Sequence, residues 1–153
     1  MRLVGIVVAM MVLASSVALT GTPSASDKPF KLFVGKVVIS PDTPPGTLDE
    51  LPAFLKINLS KDNAYDVTKG PPWPFHLVGV LAKDLKKVTL VIADKDDKKL
   101  TPLLSIDLKP MRKIVIAHAE ATIAAGFAAQ KTYVVRLMNG KTVLAKSELK
   151  LHD

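Results

Sequence analysis

The sequence predicts an all-β domain, a single two-sheet Greek-key sandwich of about seven strands, set behind an N-terminal export signal. Three observations predict it. Short apolar, β-branched runs alternate with turn clusters from about residue 30 to residue 151, which is the spacing of a sandwich or barrel rather than of strands alternating with helices. No internal repeat is visible, which excludes solenoids and propellers. The first 25 residues follow the charge, apolar core and small-residue order of a signal peptide, leaving residues 26–153 for one core.

The signal begins with Met1-Arg2, a minimal basic segment. An unbroken apolar run from Leu3 to Ala14 follows, then small and turn-forming residues as far as Ser26. Cleavage is expected after Ala18 or near Ala25. A membrane-spanning helix needs about 20 apolar residues; this run is shorter and no later segment reaches that length, so no spanning segment is expected once the signal is removed. The chain has no cysteine. Lipidation at a new N-terminal cysteine, disulfide staples and thiolate metal sites are therefore excluded. The expected location is periplasmic or extracellular.

The elements follow in order. Residues 32–39 read as a valine-rich strand with Phe33, Val37 and Ile39 on one face, ended by the Pro41–Gly46 turn cluster. Residues 53–59 alternate, with Ala53, Leu55, Ile57 and Leu59 facing one way, and read as a strand; a short helix over 48–55 competes but contains Pro52. Residues 60–74 read as a loop because Gly70-Pro71-Pro72-Trp73-Pro74 resists regular structure. Residues 75–82 are apolar on both faces, as in a central strand. Residues 88–93 and 103–108 read as a hairpin whose tip is Asp94–Lys99, and residues 113–119 as a further buried strand. Residues 119–129, alanine-rich and broken by Gly126, form a short helix or a crossover turn. The last hairpin pairs 133–137 with 142–151 around Asn139-Gly140. Parity selects a three-residue loop, Met138 to Gly140, with Val135 opposite Val143 and Gly140 at positive φ in a bulge. Tyr133, Val135, Leu137, Val143, Ala145, Leu149 and Leu151 then share the core face, since a slip of one residue would turn them all outward.

The segment Gly126-Phe127-Ala128-Ala129-Gln130-Lys131-Thr132-Tyr133 resembles the crossover into the penultimate strand of immunoglobulin-like and fibronectin type III domains. The resemblance covers residues 126–151. It implies an immunoglobulin-like Greek-key sandwich in which Tyr133 bonds back to upstream backbone. It implies nothing about function.

The formal net charge is +7, from 21 basic and 14 acidic residues, which favours contact with anions but does not select a fold. Lys83, Lys86, Lys87, Lys95, Lys98 and Lys99 form the densest basic stretch and are the candidate polyanion-contacting residues, for an anionic envelope surface in particular. Aromatic residues do not interleave with them, so nucleic acid is not an expected partner. Trp73, the sole tryptophan, stands among prolines next to Phe75 and His76. A rigid aromatic at a loop suits a protein or glycan partner, so Trp73, Phe75 and His76 are the candidate ligand-contacting residues; the competing reading makes Trp73 a plug at the end of the core.

No catalytic residue is assigned. Ser40, Ser60 and Ser105 lie in no nucleophile-elbow pattern, and the glycines form no phosphate loop. His118 shares a face with Ile114 and Ile116, His152 is at the C-terminus, and no two histidines have the spacing of a shared metal site. Asp94-Lys95-Asp96-Asp97 begins like a calcium loop, but Lys99 and Ser105 stand where glycine and glutamate are needed. No metal or cofactor is expected. The function class this supports is an exported, non-enzymatic binding or scaffolding module. The alternatives are a small exported hydrolase or metal-dependent enzyme built on His76, and a polyanion- or envelope-associated structural protein.

Overall fold

A computed structural model describes residues 28–153, so the expected signal peptide over residues 1–25 lies outside the described residues. Eight strands dominate the described residues: β1 (Val37–Ser40), β2 (Ala64–Val67), β3 (Trp73–Val80), β4 (Val88–Asp94), β5 (Pro102–Leu108), β6 (Ile114–Ala121), β7 (Thr132–Asn139) and β8 (Thr142–Leu151). They form two sheets, one ordered β1-β3-β6 and the other β2-β8-β7-β4-β5. All pairings are antiparallel except β2 with β8. The protein is all-β, as its alternating apolar runs predict.

The apolar faces of both sheets join in one core. Phe75, Leu77, Leu90, Ile92, Tyr133, Val135, Leu137 and Leu149 are fully buried there. Gly79 of β3 lets Leu137 of the facing sheet pack against the strand, because a Cβ on it would lie 2.2 Å from Leu137 Cδ1. Ser147 of β8 crosses the gap and donates to the Val37 carbonyl at 2.9 Å. The sheets are thereby tied by a buried polar contact as well as by packing.

The three-stranded sheet is covered on its second face too. Val38, Val78 and Val80 have the opposite parity to Leu77 and Gly79, yet they are buried. A 3-10 helix at Lys28–Phe33 supplies Phe30 and Phe33 to this side, and helix α1 (Leu51–Asn58) supplies Leu51 and Leu55. Two sequence expectations are corrected here. Residues 32–36 do not extend β1; they belong to the 3-10 helix and its exit. Residues 53–58 are helical rather than extended, and Leu59 follows as an extended C-cap. Pro52 falls in the first turn of α1, where a missing N–H costs nothing, and Leu51 and Leu55 meet one face at a spacing of four.

The segment 60–74 is not wholly loop. β2 forms inside it by pairing with β8, and Trp73 opens β3. Trp73 packs over Gly70, where a Cβ would fall 2.1 Å from the indole; only glycine allows that approach. The crossover after β6 resolves into a short 3-10 helix, Ile123–Ala125, capped by the Thr122 hydroxyl and ended by Gly126 in the left-handed region.

The last hairpin keeps the expected parity with a different register. Tyr133 pairs with Leu149, Val135 with Ser147 and Leu137 with Ala145, so Val135 does not face Val143. Asn139 pairs with Thr142 around a two-residue turn, and a bulge between Leu137 and Met138 restores the parity. Gly140 has φ +59°. Val143 is half exposed and Ser147 takes a core position instead.

Candidate functional site

Strand order sends the sequence-predicted site residues to different places. Trp73 and Phe75 point into the core, with exposures of 1% and 0%. The Trp73 indole N–H donates to the His152 carbonyl at 2.5 Å. Neither ring reaches solvent, which corrects the expectation of an exposed aromatic contact. The reason is local: Gly70 and the turn before β3 let the indole fold back onto the sheet. His76, with the opposite parity, lies half-buried on the outer face.

The six lysines do not form one surface. Lys83, Lys86 and Lys87 lie in the loop before β4, and Lys95, Lys98 and Lys99 in the turn after it. Six residue steps of β4 put about 20 Å between the two groups. Lys87 pairs with Asp107 at 2.6 Å and Lys95 with Glu148 at 2.8 Å. At the β4–β5 turn the acids bond their own backbone. The Asp97 carboxylate accepts from Lys99 N–H and Thr101 N–H. A hydrogen bond from the Thr101 side chain, and then these two backbone bonds, hold the Asp97 carboxyl below the usual carboxylate range. Lys131 does the same for Asp94. This turn is a self-satisfied structure, not a cation loop.

The other end of the sheets is different. The loops 81–87 and 109–113 and the turn at 140–141 all emerge there, because β3, β5 and β7 end where β4, β6 and β8 begin. Together they carry Lys83, Lys86, Lys87, Lys109, Arg112, Lys113 and Lys141 with one acid of their own, Asp84, while Lys87 is paired with Asp107 of β5. We call this end the basic pole. An apolar cavity of about 270 Å³ opens in it, between the 3-10 helix and the start of β6. Phe30, Val34, Val80, Leu81 and Ile114 form its walls, with Leu48 and Met111 beside them. Lys31, Arg112 and Lys113 stand at its edge. Leu32 and Val34 are exposed on the same 3-10 helix and its exit. Asp49 and Glu50 follow Leu48 in the chain and are exposed. Arg112 adopts a φ of +56° in the tight turn where Met111 bonds Ile114 in both directions. That turn holds Arg112 at the rim.

Sequence reasoning missed this site. Its signals were the run Lys109-Pro110-Met111-Arg112-Lys113 and the basic–apolar alternation of Lys31-Leu32-Phe33-Val34. Each reads as an ordinary loop until β6 and the 3-10 helix bring them together.

A second cluster lies at the opposite end of the three-stranded sheet. His76 is paired across strands with His118, a meeting that the spacing of the histidines along the chain does not reveal. The Ser40 hydroxyl beside them donates to Asn58 Oδ1 at 2.9 Å, so it is not bonded to the His76 ring as a nucleophile to its base would be. Burial, and then the neighbouring His118, hold His76 below the ordinary imidazole range, while Asp42 acts in the opposite sense. Among the described residues no group of three or more histidine, cysteine or acidic side chains gathers for a metal, and no helix is long and apolar enough to cross a membrane.

No protein-family model matches this chain, and no curated protein matches it in sequence.

Proposed function

We propose that this chain is an exported, non-enzymatic binding module with an immunoglobulin-like Greek-key sandwich fold, and that it takes an amphipathic anion at its basic pole. The observation that carries the reading is the apolar 270 Å³ cavity with Lys31, Arg112 and Lys113 at its edge. An apolar wall offers burial to a hydrocarbon or aromatic body, at about 25 cal/mol per Å². Lys31 and Arg112 offer charge to a carboxylate, sulfonate or phosphate head, and arginine can bind such a head in bidentate fashion. The volume suits a small amphiphile or one short acyl chain, being at the lower end of ligand pockets.

The fold reading rests on two supports. The sheet orders β1-β3-β6 and β2-β8-β7-β4-β5 fit an immunoglobulin-like arrangement. The Tyr133 hydroxyl accepts from the Ala128 N–H at 2.8 Å, five residues upstream, in the manner of a tyrosine corner. The export reading rests on the signal-like order of residues 1–25 and puts the domain in the periplasm or outside the cell.

The test uses the processed, exported protein with anilinonaphthalene sulfonate as a fluorescent probe and decanoate as competitor. Saturable probe binding displaced by decanoate is expected. Arg112→Glu should weaken it at least tenfold, and Ala82→Leu should occlude it. Vesicles of phosphatidylglycerol and of phosphatidylcholine form the second arm. Binding to the anionic vesicles alone, with no uptake of probe or decanoate, would replace the cavity reading with a surface contact on an anionic envelope. Probe binding unchanged in both variants would refute the site.

A further inference from the structure

The outer face of the three-stranded sheet carries a polar row at the end away from the cavity. Ser40 of β1 lies opposite His76 of β3, and His76 lies opposite His118 of β6. The two-residue alternation of a strand turns all three to the same side. The imidazole centroids are 4.6 Å apart and the rings are inclined by 30°. Both histidines are half-buried, and the same face continues with Val38, Val78 and Ile116.

Packing does not account for two imidazoles here, since the neighbouring positions are filled by aliphatic side chains. Hydrogen bonding does not account for them either. Among the described residues the only polar contact of His76 is Nε2 to Thr43 Oγ1 at 3.5 Å, at the limit of a hydrogen bond. His118 contacts the His76 ring and makes no hydrogen bond among the described residues. The two rings are thus held side by side by adjacent strands with ring nitrogens uncommitted. Directly opposed residues on antiparallel strands have Cα atoms about 4.5–5.5 Å apart, so the backbone has already brought the two donors together.

We propose that His76 and His118 form a two-imidazole site for a divalent transition cation, with Cu(II) bound in preference to Zn(II). Imidazole nitrogens suit both ions, and affinity for a given nitrogen site rises to Cu(II) along the first-row series. Only neutral imidazole coordinates, so binding should weaken as the rings take up protons. Asp42 is near enough to act electrostatically on His76, and Glu120 lies two residues beyond His118 on the same face; both favour a cation. Water completes the coordination, because no third side chain of the right chemistry joins the pair. The site is separate from the cavity, whose β3 wall at Val80 lies four residue steps from His76, or about 13 Å.

The test titrates the tag-free full chain with copper(II) chloride, followed by calorimetry and by long-range proton–nitrogen NMR of the histidine rings. One copper per chain is expected. Substoichiometric Cu(II) should broaden the His76 and His118 ring signals before that of His152, whose Nε2 is bonded to Asp66 at 2.9 Å. His76→Asn and His118→Asn should each weaken binding at least tenfold, and His152→Asn should leave it unchanged. Zn(II) should bind the same rings more weakly. Copper that reaches His152 or the chain terminus first, or affinity equal to wild type in both histidine variants, overturns the proposal. The wild-type ring spectra decide the matter even where a variant fails to fold.

Discussion

Removing one oxygen atom from Tyr133 tests the crossover into β7. The Tyr133 side chain is fully buried, and its ring packs on Phe127 with centroids 4.8 Å apart. Tyr133→Phe keeps the ring and this packing. It deletes the acceptor for the Ala128 N–H at 2.8 Å. A typical hydrogen bond contributes about 1 kcal/mol net, and a donor left without a partner costs about 1–3 kcal/mol. Ala128 itself is exposed, so water reaches part of the freed amide, and the expected loss is about 1–2 kcal/mol. For a domain of this size that lowers Tm by roughly 4–8 °C. Tyr65→Phe is the internal control. Its hydroxyl accepts from Ser60 N–H at 3.4 Å, a long bond whose loss should cost less than about 0.5 kcal/mol. Urea unfolding followed by Trp73 fluorescence measures both, and unchanged m-values confirm that the unfolded states match. If Tyr133→Phe is no more destabilising than Tyr65→Phe, the hydroxyl does not anchor the crossover and the reasoning fails.

Other expectations follow from the same geometry. Trp73 emission should be blue-shifted and resistant to acrylamide, since its exposure is 1%; a red-shifted, readily quenched spectrum would contradict its place in the core. Gly79→Val should destabilise the fold by about 1–3 kcal/mol through overpacking, because its Cβ would meet Leu137 Cδ1; thermal unfolding reads this directly. Stability should fall as pH drops through about 6.5. His76 holds its proton less tightly folded than unfolded, so the unfolded chain binds more protons in that window and stability rises with pH across it. His76→Gln should flatten this slope, and an unchanged slope would assign it to other groups. Lys87→Ala should shift stability by less than about 0.5 kcal/mol, because its ion pair with Asp107 is more than half exposed on both sides.

The strands that bury both faces or alternate cleanly were legible from residue order. Phe75–Val80, Val88–Ala93, Leu103–Leu108 and Ile114–Ala119 lie where the apolar runs place them, because burial of a strand leaves a period in the sequence. So does the core face of the last hairpin, since parity is a property of the residues themselves. Its register was not legible: a bulge between Leu137 and Met138 preserves parity while moving every partner. α1 was misread because Leu51 and Leu55 satisfy helical spacing while Ala53, Leu55, Ile57 and Leu59 satisfy a strand. The outer face of the three-stranded sheet, free to receive Leu51 and Leu55, resolved the ambiguity. β2 exists only by pairing with β8.

The functional geometry depended on long-range placement. Net positive charge, the absence of cysteine and the lack of a catalytic motif are local facts, and residue order alone establishes them. The union of Lys31, Arg112 and Lys113 around one cavity joins residues about 80 positions apart, and the meeting of His76 with His118 joins two strands 42 residues apart. No local pattern encodes either, because side chains with no mutual spacing in the chain become neighbours only through sheet pairing. The same pairing took Trp73 out of solvent and divided the lysines between opposite ends of β4.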